Sequence, residues 1–402
     1  MTTRMFAVKN LGSLLTHLEC SSCNAVHDHS TLQTVCTRCG KSLFARYDME
    51  LARSKLSKDL VKGRESTLWR FQELLPVLDG KISVSLGEGN TPIMQLRRLG
   101  AELGLPHLWM KDEAFNATGS FKARGLCMAV SKALELGVRE FCIPTAGNAG
   151  SALAAYAAAA GLNSHVYMPE DTPEMNIHEC RAYGADVRLV RGVISDAARV
   201  MREEKKSGWF DVSTLKEPYR LEGKKTLGYE IAEQFDWRLP DVIIYPTGGG
   251  TGLIGMWKGF SELEELGWIH ARRPKMVAVQ STGCAPIVRA FVARSEVSEP
   301  WENASTIASG IRVPKAFADS LILRTLYESG GLALAVTDHE ILRAVRRVAQ
   351  LEGLLLCPEG AATVAALQHL KDDGLVSLNS TILVLNTGSG LKYSEVLRNI
   401  SS

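Results

Sequence analysis

Lys122 ends the run Asn116-Ala-Thr-Gly-Ser-Phe-Lys122, where a small polar step leads into a helical pattern. An amine in that setting can form an imine with an aldehyde, and a nearby helix N-terminus disfavours its protonated form. Most lysines on helices only solvate a face, so the chemistry depends on what else the chain brings beside this one.

Three glycine-rich turns supply that company. Phe141-Cys-Ile-Pro-Thr-Ala-Gly-Asn-Ala-Gly-Ser151 runs from a short apolar strand through a turn into an alanine-rich helix, the arrangement of a nest for an anion or a ring oxygen. Asp241-Val-Ile-Ile-Tyr-Pro-Thr-Gly-Gly-Gly-Thr-Gly252 empties a buried-type strand into glycines that let backbone N–H groups close on a phosphate. It lacks the Gly-Lys-Ser/Thr of a Walker loop and the GxGxxG spacing of a dinucleotide site. Thr381-Ile-Leu-Val-Leu-Asn-Thr-Gly-Ser-Gly-Leu391 ends another strand in hydroxyl residues that can meet a ring nitrogen.

In this order the four segments resemble the tryptophan-synthase-β superfamily, the fold type II pyridoxal phosphate enzymes, over residues 86–395, and within it the threonine synthases. The resemblance implies pyridoxal 5'-phosphate as cofactor, with Lys122 as the Schiff-base and catalytic lysine. It implies Asn148 on the cofactor's ring hydroxyl, and Gly248, Gly249, Gly250, Thr251 and Gly252 around its phosphate. Thr387 would face the pyridine nitrogen. Thr145, Gly147 and Arg220, the last within an Arg-Leu-Glu-Gly motif, would bind substrate. A neutral hydroxyl opposite the ring nitrogen makes a weaker electron sink than a carboxylate, which suits elimination and replacement better than transamination.

The activity so implied is a carbon–oxygen lyase acting on phosphates, taking O-phospho-L-homoserine and water to L-threonine and phosphate. The implied assembly is a homodimer. A threonine or serine dehydratase is the alternative, and it needs no pocket for a phosphorylated tail. A catalytically silent relative is the other, opposed by the joint presence of Lys122, Asn148 and the glycine loop. The chain departs from many threonine synthases at Glu217, where they carry Asn, at Ala149, where they carry a hydroxyl, and at Gly248-Gly-Gly250. Glu217 near a phosphate dianion costs binding energy unless it points away or Lys216 neutralises it.

Among the nine cysteines, Cys20-x-x-Cys23 and Cys36-x-x-Cys39 form two knuckles twelve residues apart, the second followed by Gly40. Four thiolates at that spacing suit a tetrahedral, structural zinc (Zn2+), with iron the alternative for the same cage. His17, His27 and His29 are surplus to a complete four-cysteine set and read as solvated loop residues. Cys127, Cys142, Cys180, Cys284 and Cys357 sit in apolar contexts and read as buried thiols.

Composition narrows the rest. Lys plus Arg number 46 against 44 for Asp plus Glu in 402 residues, so no global charge argues for nucleic acid or membrane as a partner. No apolar run reaches a membrane span, and Met1–Leu15 lacks the apolar stretch of a secretion signal, which reads as cytoplasmic. The partner that the resemblance implies is a small-molecule, phosphorylated amino-acid substrate.

These residues need a scaffold that lines up strand ends. After a zinc-ribbon-like module (1–45) and a helical lead-in carrying the turn Leu86–Pro92 and Lys122 (46–125), strands and helices alternate through 126–210 and again through 211–402. That rhythm implies two open, parallel-sheet α/β lobes, the smaller first and the larger carrying the phosphate loop, with a cleft between them.

Overall fold

A computed structural model describes residues 12–401. Residues 1–11, on which most of the reading of the N-terminus rests, lie outside the described residues.

The N-terminal module is a three-stranded antiparallel ribbon, β1 (Leu15–Cys20), β2 (Val26–His27) and β3 (Leu43–Tyr47), in the order β2-β1-β3. The next strands are β4 (Ile93–Gln95) and β5 (Leu108–Asp112), followed by β6 (Glu140–Pro144), β7 (Asn163–Pro169), β8 (Asp186–Val190) and β9 (Trp209–Asp211). β10 (Val242–Pro246), β11 (Lys275–Ser281), β12 (Leu332–Val336) and β13 (Ile382–Asn386) complete the set.

β6 to β9 form a wholly parallel sheet in the order β8-β7-β6-β9. The other six form a sheet in the order β12-β11-β10-β13-β5-β4, parallel except for β4. The four-stranded lobe is therefore inserted into the six-stranded one. The chain lays down β4 and β5, leaves to build β6 to β9, and returns with β10. The larger sheet thus draws two strands from the lead-in 46–125 as well as four from 211–402.

Central strands of parallel sheets are covered on both faces and read as unbroken apolar runs. Val-Ile-Ile-Tyr-Pro of β10 and Ile-Leu-Val-Leu-Asn of β13 are buried along their whole length. The alanine-rich helix Asn148–Ala159 is likewise buried from Ala149 to Tyr156, where small side chains allow close packing on all sides. Backbones also meet between helix Lys122–Glu135 and helix Tyr219–Gln234, where a Cβ on Gly125 would lie 3.0 Å from the Arg220 carbonyl. This approach sets the lysine-bearing helix against the one that begins at Tyr219.

The meeting of these two helices hides a charge cluster. Arg124, fully buried, reaches both carboxylates of Glu113 and Glu230, with Nε 2.6 Å from Glu113 and Nη1 2.7 Å from Glu230. Lys111 joins Glu230 at 3.0 Å, so two cations face two anions. Among the described residues, no helix is long and apolar enough to cross a membrane.

Candidate active site

In parallel α/β sheets, ligands collect beyond the carboxyl ends of the strands. Here the ends of β6, β10 and β13 open onto one cavity of about 770 Å³ between the lobes, and Lys122 lies on its wall. Lys122 occupies the first turn of its helix. The preceding residues are tied to the turn after β13, with the Phe121 N–H on the Thr387 carbonyl at 3.1 Å and Ser120 bridged to Gly388. Among the described residues the amine makes no salt bridge. Burial above all, helped by the Arg220 charge, brings it down to about 8, so roughly a tenth of it is neutral at pH 7.

The segment after β10 supplies a cradle. Helix Thr251–Glu265 has Gly250 as its N-cap, at φ +72°, so no N-cap side chain accepts its first N–H groups. Donors left free at a helix N-terminus favour a phosphate. Side chains are also excluded nearby: a Cβ on Gly248 would lie 2.7 Å from the Gly310 carbonyl, and one on Gly250 would run into Ile322. Gly248, Gly249, Gly250 and Thr251 line the cavity. Gly252 does not; it packs on Tyr245, whose ring a Cβ there would strike.

Asn148 begins the helix after β6, with the backbone of Gly147 at φ +146° turning the chain toward the cavity. Its Nδ2 donates to the Tyr393 hydroxyl at 3.3 Å, while its Oδ1 is buried without a partner. Thr145 and Gly147 lie on the same wall. Thr387 is buried at the cavity edge, its Oγ1 3.7 Å from the Cys357 thiol.

Two sequence-selected residues sit otherwise than a simple binding role requires. Arg220 is fully buried behind the cavity wall, with Nη1 donating to the Val212 carbonyl at 2.6 Å and Nε without a partner. Glu217 turns into the start of its own helix, accepting the Tyr219 N–H at 2.7 Å and the Arg220 N–H at 3.1 Å. Burial raises this carboxyl to about 7 despite Arg220 and those N–H donors. Lys216 does not neutralise it, and lies instead over the Phe317 ring.

Sequence reading missed Ser309, Glu359 and Tyr393, which come from three separate elements. Glu359 Oε1 accepts the Gly310 N–H at 2.6 Å and the Tyr393 hydroxyl at 3.1 Å, and its Oε2 is buried without a partner. Ser309 Oγ is unpartnered too. Buried polar atoms are rarely left unpaired, so Asn148, Ser309 and Glu359 mark where a polar ligand belongs. With a buried lysine and a helix start that lacks an N-cap side chain on the same cavity, the residues fit a phosphorylated aldehyde cofactor.

The family model described as pyridoxal-phosphate dependent enzyme matches residues 84–388. Threonine synthase of Methanocaldococcus jannaschii is 37% identical over 374 residues, covering 93% of this chain and 92% of that protein. Threonine synthase of Halalkalibacterium halodurans is 35% identical, covering 81% and 89%.

The chain belongs to the threonine synthase family of pyridoxal-phosphate dependent enzymes.

Solved structures agree on the fold: a fungal L-serine ammonia-lyase from Rhizomucor miehei superposes with a TM-score of 0.66 at 24% identity, covering 77% of this chain and 98% of that one. The processed form of threonine deaminase isoform 2 from Solanum lycopersicum gives 0.63 at 22% identity, covering 77% and 87%. The fold type II expectation therefore holds, and pyridoxal phosphate is the cofactor of this threonine synthase family member.

The four-cysteine cluster is also assembled. The Sγ atoms of Cys20, Cys23, Cys36 and Cys39 all lie within 4.8 Å of one another, with Cys20–Cys39 at 3.4 Å and Cys23–Cys36 at 3.7 Å. A tetrahedron with metal–sulfur bonds of about 2.3 Å has edges of about 3.8 Å, so the cage is the right size for one ion. Left-handed residues follow each knuckle, Asn24 at φ +55° and Gly40 at +70°. His27 differs from the solvated-loop reading: it lies in β2, buried, with Nε2 unpartnered. The other five cysteines are buried free thiols.

Proposed function

We propose that the chain converts O-phospho-L-homoserine and water into L-threonine and phosphate. The observation that carries this over a dehydratase is cationic: Lys216 and Arg202 line the cavity, and neither forms an ion pair among the described residues. A second phosphate needs such free cations, and a hydroxy amino acid does not. The 37% identical relative named threonine synthase supports the same choice.

When bound, pyridoxal phosphate supplies the electron sink that lets protons leave carbons next to the substrate amine. Lys122 is the group placed to take and return those protons, since burial keeps part of it neutral. Gly248 to Thr251 hold the cofactor phosphate, Asn148 its ring hydroxyl and Thr387 its ring nitrogen. Thr145 and Gly147 meet the substrate's α-carboxylate side, and Lys216 and Arg202 its phosphorylated tail. Glu217, turned into the helix start, leaves the dianion unopposed. The four thiolates hold a structural zinc, which metal analysis of the purified protein tests.

The deciding experiment mixes holoenzyme separately with O-phospho-L-homoserine, L-threonine and L-serine, following phosphate, keto acid and amino-acid product. Phosphate and threonine from the first substrate alone are expected. Keto acid from the other two without phosphate release would establish the dehydratase instead.

A further inference from the structure

The turn 213–217 carries Ser213, Thr214 and Lys216 into the cavity wall. It is closed by the Lys216 N–H on the Ser213 carbonyl at 3.1 Å, and Thr214 packs under the cofactor loop, where a Cβ on Gly249 would lie 2.9 Å from its Cγ2. At its centre Leu215 has φ +60°. A leucine holds that left-handed conformation only where its surroundings impose it.

The surroundings come from the ribbon. Ser42, buried immediately before β3, donates its hydroxyl to the Leu215 carbonyl at 2.8 Å. The Leu215 side chain shares one apolar core with Leu18, Cys20 and Leu43 of the ribbon. Two more contacts fix the ribbon in place. Tyr47 donates to Glu222 at 2.9 Å, on the helix that carries Arg220, and the Ser21 carbonyl accepts from Arg324 at 3.1 Å.

We infer that the ribbon positions the substrate side of the active site, with Ser42 as the positioning residue that holds Leu215 left-handed so that Thr214 and Lys216 face the cavity. The inference rests on the phosphohomoserine reading for its substrate, not on cofactor binding. The cofactor cradle is built by β10 and its following helix and meets this turn where Thr214 touches Gly249, so the visible cofactor spectrum is the control for any disturbance passed to it. Without the Ser42 hydroxyl, a buried carbonyl loses its donor and the turn can relax toward an ordinary conformation.

The test compares holoenzymes carrying Ser42→Ala and Ser42→Thr with the parent. Ser42→Ala is expected to raise KM for O-phospho-L-homoserine about tenfold, and to weaken inorganic phosphate binding in calorimetry by a similar factor. Its kcat, visible cofactor spectrum and metal content stay at parent values. Ser42→Thr, which keeps the hydroxyl, recovers the parent KM. An unchanged KM and phosphate affinity in Ser42→Ala would overturn the inference, as would a loss in which kcat, spectrum and melting temperature fall together with affinity. If the parent releases no phosphate from O-phospho-L-homoserine, the functional reading fails on its own, and the phosphate titration alone decides the role of Ser42.

Discussion

Glu217 accepts the Tyr219 N–H at 2.7 Å, so its carboxyl occupies the free donors of its own helix start instead of facing the cavity. Burial raises it to about 7, against about 4.3 for a free glutamate. The folded chain therefore binds this proton more tightly than the unfolded chain. The stability so gained is complete below pH of about 4.3 and is lost as pH rises through about 7. Glu217→Gln keeps an acceptor oxygen for the N–H groups and removes the titration. The melting temperature of the variant minus that of the parent is expected to rise between pH 5 and pH 8. A difference that stays constant across that window would mean the acid is ionised throughout.

Lys122, lowered to about 8 by burial and Arg220, should show that value in cofactor capture. Only the neutral amine attacks an aldehyde. Mixing apoenzyme with pyridoxal phosphate, the rate at which the lysine-bound absorbance appears should climb with pH and reach half its plateau near about 8. Lys122→Ala should show no such absorbance. A midpoint near the ordinary lysine value would mean the amine is solvated.

The cradle after β10 tolerates no side chain at Gly250, which combines φ +72° with Ile322 directly beyond its hydrogen. An alanine there is strained by about 1 kcal/mol from backbone conformation alone, before the clash. Gly250→Ala should weaken pyridoxal phosphate binding at least about tenfold, with far-ultraviolet circular dichroism unchanged. Parent-like affinity would place the phosphate elsewhere.

How much of this was legible in the chain follows from what each residue needs. Gly248–Gly250 and Gly147 are visible because only glycine meets their geometry, and Lys122 because the turns around it repeat the strand-to-helix pattern. The knuckles of Cys20 to Cys39 are local and so readable. Glu359 and Tyr393 were not, since their value lies in meeting Asn148 and Gly310 across more than 40 residues of chain. The insertion of the small lobe was hidden for a similar reason: β5 and β13 pair across the whole smaller lobe, and an even βαβ rhythm carries no record of which strands adjoin. β9, three residues long, left too short a pattern to notice.

In the ribbon, the four thiols are clustered tightly enough to repel as thiolates without an ion between them. Cys20→Ser should release metal and lower the melting temperature, because structural metal binding contributes directly to folding free energy. The cradle at Gly248–Thr251 is built by another lobe, so the cofactor spectrum should stay largely intact. A native protein purified free of metal would refute the zinc assignment.

Arg124 lies two residues beyond Lys122 and spends its guanidinium on Glu113, Glu230, Thr91 and Thr226, all buried. The cluster is balanced only while it stays charged: with Lys111 it sets two cations against two carboxylates. Taking one cation away leaves a buried carboxylate facing another, which costs about 3–5 kcal/mol when a buried pair is broken from one side. Arg124→Met should lower denaturant stability by that amount. Arg124→Lys should recover little of it, because a single ammonium cannot span acceptors that a planar fork reaches on both sides. The same anchoring fixes the first turn of the helix that presents Lys122, so the methionine variant should also bind pyridoxal phosphate more weakly. A stability loss below about 1 kcal/mol would show that water or a shifted Lys111 repairs the cluster.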